Sequence, residues 1–498
     1  MSRLFLFVRP PRPLWPFNGP STAFWPPLAF ASMAAALREN IPHLRVAILD
    51  APALSMGWKT IERQIHSLKP AYVGIGEEAV SCMEGLRLAR LAHQTGAKVI
   101  SGGCFLSHVA PQVLATGLID VVVHGEGELT IVDLVRALED GTKGLRSIPG
   151  ISFLDGEEVV FTGHRPLISD LDSLPFPAYD LLPVERYGAR SRNHPHLAAI
   201  ELGRGCSHGC SFCVLWKQMG RFQDDRPSPC LRVKSPERLL EEIRLLMDRF
   251  DRRYLGWVDP CFNADPRVPA GLSDLLLREN RAVGQSAWVR ADCVIRDAAS
   301  GALDACHRAG LNELYLGVER LDPDHLATIG KKDLAGHATR ALSILDRDYR
   351  GIVTIGTFIY GLPEDTRETV HALFRSAQQV PLDELFFIPL TPLPGTAYWK
   401  PQMWDGDGRI FRDFDFLPRP GPDERLAAFS SEIARSYLLC WPKQRVRRML
   451  TGMLARDSRR RTITRHIVGR AIPVMLPGLF HRRQQSAGGM FYPAWYES

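Results

Sequence analysis

Along the first 142 residues, short runs of branched and aromatic side chains alternate with segments of helical periodicity. The runs are Leu4–Val8, Val46–Asp50, Ala71–Ile75, Lys98–Ile100 and Val121–Val123. Between them, Trp58–Leu68 and Cys82–His93 carry apolar side chains at three- and four-residue spacing, the pattern of a helix with one buried face. Such alternation predicts a parallel sheet with helices on both faces, and five strands suit a doubly wound domain. A sheet of this kind binds its ligand at the carboxyl ends of the strands, at the switch point. The loops there are Ser101-Gly102-Gly103 after the fourth run and His124-Gly125-Glu126-Gly127-Glu128 after the fifth, where a helix opens. Glycines let backbone approach a large ligand closely, and they also serve as plain turns closing αβ units.

Residues 143–195 hold scattered turns and the stretch Leu171-Asp172-Ser173-Leu174-Pro175-Phe176-Pro177, whose prolines predict an extended connector. Alternation then resumes. Strand-like runs lie at Ala198–Leu202, Tyr254–Val258, Gln285–Val289, Glu313–Val318, Ile352–Ile359 and Glu384–Pro389, with helical runs such as Pro236–Phe250 and Asp365–Val380 between them. Residues 196–400 therefore predict a (β/α)6 partial TIM barrel, with its chemistry at the strand carboxyl ends. Residues 401–498 predict a further, mainly helical region.

Composition narrows the picture. Of 498 residues, 45% are hydrophobic and 23% charged, which excludes a mostly disordered or collagen-like chain. No apolar run approaches the roughly 18 residues of a membrane span. Leu4–Val8 is too short for a signal-peptide core and runs into Arg and Pro, so a cytoplasmic protein is expected. In a reducing compartment the ten cysteines are to be read for metal binding or catalysis. The net charge of +6 is unevenly placed: Lys443 to Arg483 holds twelve Lys/Arg against one acid, Asp457. A basic, partly amphipathic stretch suits an anionic membrane surface or partner, or a solvated helical face. No stacking aromatics interleave with the charges, so no nucleic-acid partner is expected.

The sharpest chemical pattern is Gly203-Arg204-Gly205-Cys206-Ser207-His208-Gly209-Cys210-Ser211-Phe212-Cys213. Three thiolates this close on one loop can face a single cubane. Four-iron clusters normally take four cysteines, so three leave one iron open. Zinc, the alternative, favours four protein ligands in pairs, and no second pair follows at zinc-finger spacing.

The C-x3-C-x2-C spacing resembles that of the radical S-adenosylmethionine (SAM) superfamily. Residues 1–142 resemble the cobalamin-binding domain found ahead of many such enzymes, with its Gly-Gly pair and R-G-E-G-E-like run. His124 stands where Arg is usual. The resemblance implies a flavodoxin-like cobalamin domain, a linker and a radical SAM barrel. It implies Cys206, Cys210 and Cys213 as ligands of a [4Fe–4S] cluster. It places Phe212, Asp259, Glu319, Arg320 and Gly361 near SAM, and Ser101, Gly102, Gly103, Gly125, Glu126, Gly127 and Glu128 near cobalamin. Asp259 ends the second barrel strand in a run similar to D-D-x-F. Glu319 and Arg320 match G-x-E-S, with Arg in place of Ser, and Gly361 falls in G-x-x-x-G-L-P. The mutase motif D-x-H-x-x-G is missing, which implies cobalt without a histidine ligand, faced instead by the loop Gly76–Ser81 with Glu77 and Glu78.

The activity implied is that of a cobalamin-dependent radical SAM methyltransferase. It would use a 5′-deoxyadenosyl radical and methylcobalamin to methylate an unactivated carbon of a small substrate, with flavodoxin or ferredoxin as electron donor. An apolar substrate would suit a peripheral site at the inner membrane face, and Trp15 and Trp25 could wall an apolar pocket. The alternatives are a cyclase or rearrangement enzyme similar to the anaerobic magnesium-porphyrin cyclase, and a cobalamin sensor or carrier with a degenerate radical domain.

Overall fold

The computed structural model describes residues 3–12, 25–76, 81–141, 144–189, 191, 194–331, 334–406, 450, 452–454, 461, 464 and 495–498. Trp15, Glu77, Glu78, Cys440 and most of the basic 443–483 stretch therefore lie outside the described residues.

The first sheet is built from β1 (Leu4–Arg9), β2 (Arg45–Asp50), β3 (Tyr72–Gly76), β4 (Lys98–Gly102), β5 (Val121–Val123), β6 (Ile151–Asp155) and β7 (Glu158–Phe161), in the order β2-β1-β3-β4-β5-β6-β7. Its first five strands are parallel and follow the flavodoxin order. The sequence pattern placed five strands here; the structure has seven. The added pair, β6 and β7, is an antiparallel hairpin on the β5 edge, formed within the segment expected to be an extended connector. The turn Gly156 at φ +65° closes it, and Phe153 fills the core while Leu154 and Asp155 face water.

Alternate residues of β1 serve opposite sides of this sheet. Leu4, Leu6 and Val8 pack with Trp58, Ile61 and Ile65 of the helix Trp58–Leu68. Phe5 and Phe7 pack with Phe30 and Leu37 of the helix Leu28–Asn40. The second cluster runs on without a break into the barrel and includes Tyr179, Leu182 and Tyr187 of the connector. Tyr187 also donates to the fully buried Asp50 at the end of β2 (2.7 Å), so the connector is latched to the ligand-binding end of the first sheet.

Beyond the connector come β8 (Leu197–Ile200), β9 (Gly203–Cys206), β10 (Arg221–Gln223), β11 (Arg226–Ser228), β12 (Cys230–Val233), β13 (Tyr254–Trp257), β14 (Gly284–Val289), β15 (Leu311–Glu319), β16 (Val353–Tyr360) and β17 (Glu384–Pro389). Six of them form an all-parallel sheet in strict chain order, β8-β13-β14-β15-β16-β17. Ala287, Val289, Leu314, Leu316, Phe358 and Phe387 turn outward into the helix-side core. Trp288 and Tyr315 take the other face and stack on each other at 4.8 Å. The helix expected over Pro236–Phe250 is α-helical to Arg244 and unwinds to a wider π-turn over Leu245–Arg249. Trp25 reaches the barrel, where a Cβ on Gly256 would lie 2.3 Å from its ring.

Candidate active site

The three cysteines sit on a loop that the fold holds from several sides. After β8 the chain turns, and the carboxylate of Asp259 accepts from Leu202 N (3.0 Å) and Gly203 N (2.6 Å). Strand β9 then pairs antiparallel with β12. Gly205 stands at φ +89° with a would-be Cβ 1.9 Å from Cys230 O, so only glycine fits two strands this close. Further on, Ser211 N donates to Ile329 O and Ala397 N to Ser211 O, while Trp216 Nε1 donates to Cys210 O.

Cys206, Cys210 and Cys213 are half-buried and free. Burial raises all three thiol pKa values, that of Cys210 to about 11, and neighbouring sulfurs add to it, Cys206 and Cys213 at Cys210 and Cys206 at Cys213. Lys331 opposes this at Cys206 and Cys210, and Arg290 at Cys206. Cations around the loop favour thiolates and an anionic cluster. Among the described residues no three His, Cys, Asp or Glu side chains converge as ligands of a single ion; corner ligands of a cubane stand further apart than that.

Beside the loop lies a pocket lined by Arg290, Gly317, Val318, Arg320, Leu326 and Lys331. Arg290 binds Asp292 through Nε and Nη2, while its Nη1 is buried without a hydrogen-bond partner. Lys331 holds Glu319 at 3.1 Å and Gly317 O at 3.3 Å. Glu319 has φ +61° at a β-bulge between β15 and β16, which turns its side chain toward the pocket lysine. Phe212 packs with Leu326, Ile329, Ile359 and Leu362. This set offers an apolar surface and a buried, unsatisfied cation to a ligand carrying both a ring and a carboxylate. Arg290, directly after β14, stands at a strand end where sequence expects chemistry but was given no role, and Lys331, twelve positions past β15, was not anticipated, since no spacing marks it.

Two residues expected near SAM are committed elsewhere. The Asp259 carboxylate is taken up by the backbone of the cluster loop, and burial pushes its pKa up to about 7. Arg320 is fully buried against Asp365 and Ile359 O, and Asp365 in turn accepts from Gly361 N and Leu362 N. Both hold loops in place, although Arg320 also lines the pocket and its Nε is buried there without a hydrogen-bond partner.

At the carboxyl end of the first sheet, Ser101 Oγ is buried without a partner. Gly103 and Gly125 have φ +89° and +68°, and a Cβ on Gly127 would meet Met33 Sδ at 2.5 Å. A cradle of glycines around an orphaned hydroxyl fits a large bound cofactor. His124 turns away from it: Nε2 contacts Ser152 Oγ at 2.8 Å and the ring meets Phe161 edge-on. Burial lowers its pKa to about 4, so it is neutral. Glu126 and Glu128 also point elsewhere. Both pair with Arg204, and Glu126 also with Arg232, across to the barrel.

Cys230 is directly opposite Cys206 in the β9–β12 pairing, a proximity that spacing along the chain does not reveal. Cys261 is buried with Sγ 3.4 Å from Asn263 Oδ1.

Residues 200–377, the parallel barrel with the three-cysteine loop above its first strand, match the family model of the Radical SAM superfamily. The chain is 29% identical over 383 residues to an uncharacterised methyltransferase of Pyrococcus horikoshii, covering 75% of this chain and 78% of that protein. It is 27% identical over 377 residues to the anaerobic magnesium-protoporphyrin IX monomethyl ester cyclase of Rubrivivax gelatinosus, covering 74% of this chain but only 65% of the cyclase. Among solved structures, the radical SAM methyltransferase TsrM from Kitasatospora setae, with cobalamin and a [4Fe–4S] cluster bound, superposes with a TM-score of 0.61 at 20% identity, over 80% of this chain and 77% of that one. The two-domain fold is therefore the one seen in a cobalamin-binding radical SAM enzyme.

Proposed function

We propose that this protein is a cobalamin-dependent radical SAM methyltransferase acting on an unactivated carbon of a small molecule. The observation that carries the reading is the juxtaposition of loops: those at the carboxyl ends of β4 and β5 lie against the segments on either side of Cys206, Cys210 and Cys213. Cys206, Cys210 and Cys213 would hold a [4Fe–4S] cluster. Arg290 and Lys331 would take the carboxylate of SAM, with Glu319 beside them and Phe212 and Gly361 toward its adenine. Ser101, Gly102, Gly103, Gly125 and Gly127 would cradle cobalamin. When bound, these groups supply a hydrogen-abstracting 5′-deoxyadenosyl radical and a transferable methyl group. The protein's own part is to fix the two cofactor loops face to face, since about 1 Å of misplacement can cost a hundredfold in rate.

The relatives' names favour methylation over cyclisation, because a methyltransferase name and a methyltransferase fold accompany the higher coverage of both chains. An electron donor of the flavodoxin or ferredoxin class belongs to the same reading. Product analysis with extracts of the native host tests it. Methylation gives a product heavier by one methylene, with S-adenosylhomocysteine beside 5′-deoxyadenosine. Cyclisation gives 5′-deoxyadenosine without S-adenosylhomocysteine, and a carrier gives no SAM cleavage by the reduced, reconstituted protein.

A further inference from the structure

The loop carrying the three cysteines is gripped by the first domain on both flanks. Ahead of Cys206, Arg204 donates from Nη1 to Glu126 (2.8 Å), from Nη2 to Glu128 (2.6 Å) and from Nε to Glu201 (2.9 Å). Arg232, opposite Arg204 on β12, donates from Nη1 to both oxygens of Glu126 and to Ile168 O. After Cys213, Gln218 Oε1 accepts from Ser107 Oγ (3.1 Å) and Gln218 Nε2 donates to Gly125 O (3.4 Å). The side chains of Arg204, Glu126 and Glu128 are 7–8% exposed.

Five charged side chains removed from water in this way are a poor source of net stability, since apolar residues of the same volume do as well or better. What they provide is register. The Arg204 fork fits its carboxylates in one geometry, Arg232 adds a single-nitrogen contact through Nη1 with Nε and Nη2 left buried and unpartnered, and a shift of one domain leaves a buried charge unpaired. We propose that Glu126, Glu128, Arg204, Arg232 and Gln218 form a clasp that sets the separation between the loops of the first domain and the cysteine loop. They are positioning residues, and the two glutamates of the G-E-G-E run read the barrel and not the corrin. The inference rests on the functional reading above for what the two loops carry, while the clasp itself rests on the contacts.

The test uses the full-length protein. Hydrogen exchange of the cofactor-free chain is compared between wild type, Arg204→Met and the Glu126→Gln/Glu128→Gln double variant. Exchange in segments 101–107, 124–128 and 203–213 should rise about tenfold or more, with the helices 267–278 and 367–377 unchanged. A second measurement uses protein reconstituted with iron, sulfide and hydroxocobalamin and then reduced. The magnetic coupling between cobalt and cluster should report one separation in wild type and a broadened one in the variants at equal iron and cobalamin content. Unchanged exchange and unchanged coupling overturn the clasp. If Arg204→Met fails to fold, Gln218→Ala, which removes a neutral contact only, carries the same expectations. Wild-type protein that takes up no cobalamin would count against the functional reading, while the exchange comparison still decides the clasp.

Discussion

Among single residues, the cysteines separate cleanly by what surrounds them. Cys206→Ala, Cys210→Ala and Cys213→Ala should each abolish cluster assembly, because a cubane held at three corners loses its grip when any one is removed, whereas cobalamin uptake should persist. Cys230→Ser should keep the cluster, although Cys230 stands opposite Cys206. Iron counting after anaerobic reconstitution distinguishes the four variants, and a full cluster in all of them would remove the assignment. Asp259 makes a different prediction. Its folded pKa of about 7 lies above the ordinary 3.8, so the folded state binds its proton more tightly. The stability it contributes is present below about pH 4 and is lost as pH rises through about 7. Asp259→Asn should flatten that part of the stability profile in urea titrations. It should also cost about 1–3 kcal/mol, because an amide offers only one acceptor oxygen to two backbone donors. The cysteine triplet was legible in the sequence because its ligands are close along the chain. Asp259 was located at its strand end, and only the fold shows that the carboxylate turns back to hold Leu202 N and Gly203 N.

At the level of elements, periodicity located the eleven strands that form the parallel parts of the two sheets, since their branched, buried runs stand out between amphipathic helical segments; it missed β6, β7 and β9 to β12. It failed where pairing decides the outcome. Ile151–Asp155 and Glu158–Phe161 are short, and Glu158–Phe161 has no fully buried position; they become strands because the β5 edge is open to them. The loop between β16 and the helix Arg367–Ala377 shows the same dependence on distant partners. Asp365 gathers Gly361 N, Leu362 N and the Arg320 guanidinium at a point with no solvent exposure. Arg320→Met would leave this carboxylate buried without its cation, a loss of about 3–5 kcal/mol. Urea denaturation should show the lowered midpoint, and a loss below about 1 kcal/mol would mean that Gly361 N, Leu362 N and the Thr369 hydroxyl suffice for Asp365.

For the molecule as a whole, the excess of positive charge is concentrated in one stretch near the end of the sequence. Among the described residues no helix is long and apolar enough to cross a membrane. The stretch 443–483, nearly all of it outside the described residues, carries twelve cations against one anion beside apolar runs such as Ile472–Phe480. Each cation near an anionic leaflet contributes about 1 kcal/mol, falling off within a Debye length. Not all twelve can touch one surface at once, so reversible binding of a few kcal/mol in total is expected, lost as salt screens it. Vesicles containing anionic lipid should sediment the full-length protein at low ionic strength. Binding should weaken at high salt and largely disappear when Lys443, Arg445, Arg447 and Arg448 are changed together to Gln, with neutral vesicles as the control. Equal sedimentation with neutral and anionic vesicles, or none with either, would assign the cations to a solvated face. The clasp between the domains, being buried, should be indifferent to the same change in salt, so hydrogen exchange at residues 124–128 recorded across that series separates surface electrostatics from the interior kind.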